Sequence, residues 1–396
     1  MDEKMILVAE FLKGTSTMSE LCRSFGVSRK TGYKWIERYK NGGPGELSDR
    51  SRAPHRCPHS LPDEMAQLIL AVRKDHPTWG PRKILAWIAR KNPETRLPAS
   101  STAGDLLKRY GLTRPRRRRR RTSPFDQPFQ PCSGPNDTWC ADFKGQFRLG
   151  DGDKCYPLTL SDAYSRFLLA CRGLLDPNTD ETKKRFEIAF KEYGLPRAIR
   201  SDNGPPFATI GPHGLSRLSV WWLKLGIRHE RIQPGRPDQN GSHERMHRTL
   251  KEETAKPPKA TLRAQQRAFD RFWDEYNFER PHEALQQCTP ATWYRTSTRR
   301  YPDIIPEFSY PRGATLRTVH ERGRIRWKGQ LIHIAAALGG EQIALGESSE
   351  GIWEVWFGPL KLGLVDDQKL GLGLIEWPST ATGYQQLFGL PSSSPQ

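Results

Sequence analysis

The sequence predicts a multidomain chain with an all-α region first, a central α/β domain next and a small β-barrel at the end. Three observations predict it. At 396 residues the chain is too long for one ordinary core, so several domains are expected. From Asn136 onward the texture changes to short apolar strands alternating with helices, the pattern of an α/β layer. Over 310–378, glycines punctuate the short apolar stretches GRIRW, QLIHIAA, QIALGES, IWEVWFG and LKLGLVD, as in a turn-rich barrel. The boundaries that follow are 1–56, 57–113, an Arg-rich linker at 114–135, 136–300, 310–378 and a disordered tail at 379–396.

Charge and cysteine usage narrow the partner and the compartment. Sixty-three Lys and Arg against 44 Asp and Glu leave a net charge of +19, which attracts a polyanion; nucleic acid is the expected one. No stretch approaches the roughly 18 apolar residues of a spanning helix, and no basic amphipathic anchor stands out. The opening MDEKMILVAEFLKGTS is acidic in front, has no cleavage-like site and reads as a helix rather than a signal peptide. The seven cysteines, at 22, 57, 132, 140, 155, 171 and 288, form neither a CxxC nor a paired Cys/His spacing. A disulfide framework and a zinc site are therefore not supported, and a reducing cytoplasm is the expected setting.

Within 1–56, MSELCRSFGVSRKTGYKWIERYK holds a short helix, a turn at Gly26 and a second helix that Ser28 caps. That is the signal of a helix-turn-helix. Leu21, Phe25, Val27, Trp35 and Ile36 are placed for a small core, leaving Arg29, Lys30, Thr31, Tyr33 and Lys34 to face a major groove. In the second helical block, WGPRKILAWIARK spaces Ile84, Leu85 and Ile88 along one face, giving a second winged or helix-turn-helix-like module. The run RPRRRRRR at 114–121 cannot pack against itself; Arg116, Arg117, Arg118 and Arg119 are read as phosphate contacts rather than an inert solvated linker.

Two carboxylates stand out in the central domain. In PRAIRSDNG a strand ends at Asp202, and Asn203-Gly204 is expected to supply the left-handed conformations of a tight turn. The carboxylate is either presented at a strand end or merely caps that turn. In NDTWCADFKGQF alternation places Trp139, Ala141 and Phe143 on one face and Cys140, Asp142 and Lys144 on the other, where an unpaired acid costs several kcal/mol. A third acid, Glu244, lies in the first turn of a helix that begins near Asn240, sharing a polar stripe with His247, Arg248 and Lys251 opposite Met246 and Leu250. His229, His243 and His247 read as ordinary polar positions, and Trp221-Trp222 and Trp353/Trp356 as core rather than base-stacking platforms.

Transfer of a phosphodiester needs charge neutralised on the entering and leaving oxygens, which two Mg²⁺ ions about 3.5 to 4 Å apart supply. Hard cations take oxygen ligands, so acids belong in this basic chain. Residues 136–296 resemble the catalytic core of the retroviral-integrase-like DDE transposases of bacterial insertion sequences. TWCADFKG, LSDAYSRF, SDNGPPF, RPDQNGSHERMHRTLKEE and YNFERPHEAL occur in the family's order. The resemblance implies an RNase H-like fold, two divalent ions (Mg²⁺, with Mn²⁺ able to substitute) and a metal-holding catalytic triad of Asp142, Asp202 and Glu244. Asp238 is set aside because PGRPDQNG reads as a turn, and Asp162 is read as structural, with Ser165 and Arg166 beside it.

The expected activity is that of a DNA transposase that binds insertion-sequence ends, hydrolyses the 3′ strand and joins it to target DNA. Its expected partners are double-stranded DNA and further copies of itself, as a dimer or larger assembly on DNA in the bacterial cytoplasm and nucleoid. Arg248 and Lys251 join the helix-turn-helix residues as DNA contacts. Two rivals remain open, a catalytically silent DNA-binding regulator and a structure-specific nuclease of the same fold.

Overall fold

A computed structural model describes residues 3–49, 61–113, 129, 132–209, 214–232, 241–367 and, by backbone alone, 371–373. The arginine run, Asp238 and the tail from 379 lie outside the described residues. The chain divides into two compact units, one reaching to Pro62 and one from Asp63 onward.

The first unit holds α1 (Glu3–Lys13), α2 (Met18–Ser24) and α3 (Arg29–Gly42). A capping box starts α2: the Thr17 hydroxyl accepts from the Glu20 N–H while the Thr17 N–H donates to the Glu20 carboxylate. Gly26 takes the turn at φ +63°, a left-handed conformation that costs a glycine little, and Ser28 caps α3 by accepting from the Thr31 N–H. Val8, Met18, Cys22, Ile36 and Leu47 form the core, with Val27 and Trp35 packed against it. The helix-turn-helix expected here is therefore formed, with one difference: Phe25 is only half-buried, because it is the C-cap of α2 and sits at the rim.

In the second unit α4 (Asp63–Asp75), α5 (Pro81–Lys91) and α6 (Ser100–Arg109) bury Ile69, Trp79, Ile84, Ile88 and Leu107. They are tied to the central domain by His76 on Glu275 (2.9 Å), Arg82 on Glu283 (2.6 Å) and Arg90 on the Glu279 carbonyl (2.6 Å).

The central sheet comprises β1 (Thr138–Phe143), β2 (Phe147–Arg148), β3 (Lys154–Asp162), β4 (Leu168–Leu174), β5 (Ala198–Ser201) and β6 (Arg228–Arg231). Strands run β2-β3-β1-β5-β6, with β4 also on β3. The pairs β1–β3, β2–β3 and β3–β4 are antiparallel, and β1–β5 and β5–β6 parallel. Helices α7 (Thr179–Tyr193), α8 (Arg217–Lys224), α9 (Gly241–Thr254) and α10 (Leu262–Asp274) complete the domain. One apolar cluster gathers Trp139, Ile199, Phe186, Phe190, Trp221 and Trp222, so the Trp221-Trp222 pair is core. A second gathers Cys155, Cys171, Met246, Leu250 and Phe269. The sheet is thus covered on both faces, as parallel pairing requires.

α10 ends at Asp274 and passes into a π-helical turn at Glu275–Glu279. That turn sends nearby aromatics two ways: Trp273 and Phe278 meet Phe167, whereas Tyr276 meets Phe272 and His282. It also aims Asn277 at β4, where its amide accepts from the Leu168 N–H (2.8 Å) and donates to the Leu168 carbonyl (2.9 Å).

At the C-terminal end, β7 (Thr315–Thr318), β8 (Arg324–Trp327), β9 (Gln330–His333), β10 (Gln342–Ser349), β11 (Ile352–Phe357), β12 (Leu360–Asp366) and β13 (Gly371–Gly373) are all antiparallel. They form a five-stranded sheet, β13-β12-β11-β10-β7, and the hairpin β8-β9, around a core that includes Ile325, Trp327, Ile343, Val355 and Leu362. No ladder joins the two sheets among the described residues, so the ring closure of a barrel is not seen there. No helix among them is long and apolar enough to cross a membrane.

Asp162 is fully buried at the end of β3. One carboxylate oxygen accepts from the Asn136 N–H (2.7 Å), and the other from the Ser165 N–H (2.7 Å) and hydroxyl (2.6 Å). Arg166 contributes only its backbone N–H, to the Asp162 carbonyl. An Asp162→Asn variant must turn an NH₂ toward one of these donors. Its denaturation midpoint is expected to fall by an amount worth about 2–3 kcal/mol, while the affinity for divalent cations stays unchanged.

Candidate active site

The parallel ladder between β1 and β5 pairs Thr138 with Ala198, Trp139 with Ile199 and Cys140 with Arg200. Continuing two residues past its last pair leads to Asp142 on one strand and Asp202 on the other. Both acids leave the sheet at the C-terminal ends of adjacent parallel strands, the usual place for a site in such a sheet. α9 brings Glu244 in from outside the sheet. Its described start, Gly241, puts Glu244 in the first turn.

The acids differ in what shifts them. Burial first, and then the charges of Asp202 and Glu244, push the Asp142 carboxyl from 3.8 up to about 7, against a lowering by Lys144. Burial raises Asp202 as well, while the Gly204 N–H donating to its carboxylate (3.3 Å) works the other way. Glu244 is the more exposed member, with Lys144 Nζ 3.6 Å from its carboxylate. Around Asp202 the backbone differs from expectation: neither Asn203 nor Gly204 is among the positive-φ residues. The turn is made by the Asp202 side chain bonding the backbone two residues on, and by the Asn203 amide donating to the Ile232 carbonyl (2.5 Å).

A buried carboxyl raised further by two neighbouring carboxylates suits a hard divalent cation, which needs oxygen donors and removes that repulsion. Asp142, Asp202 and Glu244 are the residues that could hold it. Nitrogen donors adjoin them, since ligand atoms of Asp142, His243 and His247 lie within 4.8 Å of one another.

Those histidines were missed as site residues. His247 does not belong to the outer polar stripe with Arg248 and Lys251, which are exposed; it is completely buried, and His243 nearly so. The buried positions 243, 246, 247, 250 and 254 make one inner face at helical spacing, and that periodicity was the available signal. Burial lowers both imidazoles, His243 to about 3 and His247 further, so both are neutral. His229 is likewise pushed down to about 3 by burial and meets the Ser201 hydroxyl at 2.8 Å.

Of the residues expected to meet DNA in the first unit, Arg29, Lys30, Tyr33 and Lys34 are exposed. Thr31 is half-buried and shares its hydroxyl with Ser28 (2.9 Å). Arg116, Arg117, Arg118 and Arg119 lie outside the described residues.

Residues 133–237 and 225–290 each match an integrase core domain family. Residues 3–55 match a helix-turn-helix domain, 31–107 a homeodomain-like domain and 314–371 the C-terminal domain of IS481 family transposases. The 31.7 kDa protein of insertion element IS407 from Burkholderia multivorans is 28% identical over 47% of this chain and 65% of its own length. The 39.2 kDa protein of insertion element IS476 from Xanthomonas euvesicatoria is 31% identical over 46% of this chain and 52% of its own. The chain thus spans less than two thirds of either relative. Among solved structures, the HTLV-2 integrase catalytic core domain in complex with magnesium covers 41% of this chain and 99% of its own, at 18% identity and a TM-score of 0.33.

The raised Asp142 carboxyl fixes the sign of a stability effect. A group whose pKa is higher folded than unfolded contributes stability below its unfolded value and loses it as pH rises, here through about 7. In metal-free protein at pH 8, Asp142→Asn should therefore raise the thermal midpoint. At roughly 2–4 °C per kcal/mol for a domain of this size, a rise of at least that much is expected, vanishing near pH 4. An unchanged midpoint at pH 8 would contradict it.

Proposed function

The chain carries an integrase core domain followed by a C-terminal domain of the IS481 transposase family, and from that premise we propose that it is a DNA transposase. In this reading it binds insertion-sequence ends, hydrolyses the 3′ strand and joins the freed end to target DNA. The observation that carries the reading is the placement of Asp142 and Asp202 at the ends of paired parallel strands, with the charge of Glu244 acting on Asp142.

Asp142, Asp202 and Glu244 are assigned the role of holding two Mg²⁺ ions, with Mn²⁺ able to replace them. When bound, such ions neutralise the charge that develops on the entering and leaving oxygens of the phosphodiester. Lys144, paired with Glu244, keeps that carboxylate turned toward the strand ends. Arg248 and Lys251, exposed on the helix that carries Glu244, meet backbone phosphates and hold the DNA in register. Arg29, Lys30, Tyr33 and Lys34 present a polar face of α3 to the major groove of the element end, with Thr31 supporting the start of that helix. Arg116, Arg117, Arg118 and Arg119 follow phosphates between modules. The domain limits are taken as those expected from the sequence, save that the first compact unit reaches Pro62, and the C-terminal β domain is assigned contact with DNA or a second subunit. Joining two ends takes at least two protomers, so the working form is a homo-oligomer assembled on DNA in the cytoplasm.

The test is cleavage and joining of end-containing DNA with Mg²⁺. Outer-shell metal partners alone are worth about 10- to 100-fold, so Asp142→Asn, Asp202→Asn and Glu244→Gln are each expected to cost more than roughly a hundredfold while end binding persists. Activity equal to the parent's in all three would remove the metal assignment. Sequence-specific binding with no cleavage by the parent would mark a silent regulator, and preferential cutting of a four-way junction a structure-specific nuclease. In binding titrations against salt, Arg248→Ala and Lys251→Ala should each lower the slope by about one, as phosphate contacts do.

A further inference from the structure

Beneath Asp142 lies a buried chain of hydroxyls and imidazoles. The Thr159 hydroxyl touches three groups: the Asp142 carbonyl (3.1 Å), His243 Nε2 (2.8 Å) and His247 Nε2 (2.6 Å). His243 Nδ1 meets the Ser161 hydroxyl at 2.8 Å. His247 Nδ1 has no hydrogen-bond partner, though it is completely enclosed. It faces Asp142 Oδ2 at 3.5 Å.

Proton counting favours one assignment of that nitrogen. A threonine hydroxyl has one proton and two lone pairs. The Asp142 carbonyl can only accept, so the Thr159 proton goes there, and both Nε2 atoms must donate to Thr159. With Nε2 the protonated nitrogen of each ring, Nδ1 carries the bare lone pair. For His243 that lone pair accepts from Ser161. For His247 it points at a carboxylate oxygen, and when that carboxylate is ionised two acceptors face each other in a buried place where an unmatched polar atom is costly. A cation between them resolves the conflict. Ligands about 2.0–2.2 Å from one ion stand about 3 to 3.5 Å apart, the separation found here.

We propose that Nδ1 of His247 is a ligand of the divalent ion held by Asp142, making that centre a mixed nitrogen and oxygen site. His243, both of whose nitrogens are engaged, serves with Thr159 to fix the His247 tautomer, as partners behind a metal-bound imidazole commonly do. The inference rests on the assignment of a metal to Asp142 made above. An imidazole ligand favours transition metals such as Mn²⁺ over Mg²⁺, so the site should discriminate between the two.

The experiment is electron spin echo spectroscopy of the full-length protein loaded with substoichiometric Mn²⁺, backed by calorimetric titration with Mn²⁺ and Mg²⁺. Parent protein should show the modulation of a directly bound imidazole ¹⁴N. His247→Asn should lose it and bind Mn²⁺ at least about tenfold more weakly, with a smaller loss for Mg²⁺. His243→Asn should keep the modulation. Mn²⁺ bound in an Asp142-dependent way with no imidazole modulation in the parent would overturn the proposal without any variant having to fold. So would modulation that survives in His247→Asn. If Asp142→Asn leaves Mn²⁺ affinity unchanged, the metal assignment itself fails, a different outcome from loss of the nitrogen signal alone.

Discussion

The parallel pairing of β1 with β5 is the constraint on which the site depends. Parallel strands end together, so two acids that lie 60 positions apart in sequence leave the sheet side by side. An antiparallel pair would send them to opposite ends. The pairing survives because both faces of the sheet are covered: Trp139 and Ile199 pack into the aromatic cluster with Phe186, Phe190 and Trp222, while Met246 and Leu250 of α9 enter the cluster on Cys155 and Cys171. Packing energy, not any attraction among the acids, holds the acids near one another. The Asp142 carboxyl, raised by burial first and by the charges of Asp202 and Glu244 after it, reflects that cost in part.

α9 joins scaffold to chemistry. Its inner face carries His243, Met246, His247, Leu250 and Thr254, so the apolar anchors and the two imidazoles are seated by the same burial. Once Met246 and Leu250 dock, Thr159 and Ser161 of β3 meet the histidines, and Glu244 stands one step outward along the helix rim. The ion pair of Glu244 with Lys144 then links α9 to the segment just past β1. That contact is weak alone, for exposed pairs are worth at most about 1 kcal/mol, but the buried hydroxyl and imidazole bonds fix the rotation of the helix about its axis.

Much of this was legible in the sequence because the strongest signals were local and periodic. Alternation in TWCADF marked β1, the Ser28 cap marked α3, and the glycine-bounded stretches marked β8 to β12. Asp142, Asp202 and Glu244 stood out as acids in places where a basic chain has no structural use for them. What escaped depended on contacts between distant residues. β7 has one half-buried and three exposed residues and no alternation of buried positions, so it exists only through its ladder with β10. The π turn at Glu275–Glu279 reflects the pairing of Asn277 with Leu168, 109 residues earlier. The local rule for Asn-Gly failed near Asp202 because a side-chain bond to Gly204 and the Asn203 bond to Ile232 replaced a hairpin turn. His247 was assigned to the wrong side of its helix because a histidine on a boundary position counts as polar until its partners are known.

Other acids that are buried or half-buried are treated differently from Asp142 and Asp202. Glu230 is matched by Arg200 at 2.9 Å and Arg228 at 2.9 Å, and Glu253 by Arg280 at 2.8 Å. Asp162 is matched by three hydrogen-bond donors. Each follows the rule that a buried charge is tolerated only when paired. Among the described residues, no lysine or arginine lies within ion-pair distance of Asp142 or Asp202, although the chain has 63 such residues to draw on. The one basic side chain near enough to matter, Lys144, is turned to Glu244. A protein with so many cations that still leaves these two carboxylates without a lysine or arginine partner among the described residues has kept their oxygens open to a charge from outside the chain, as the metal-holding role proposed above requires.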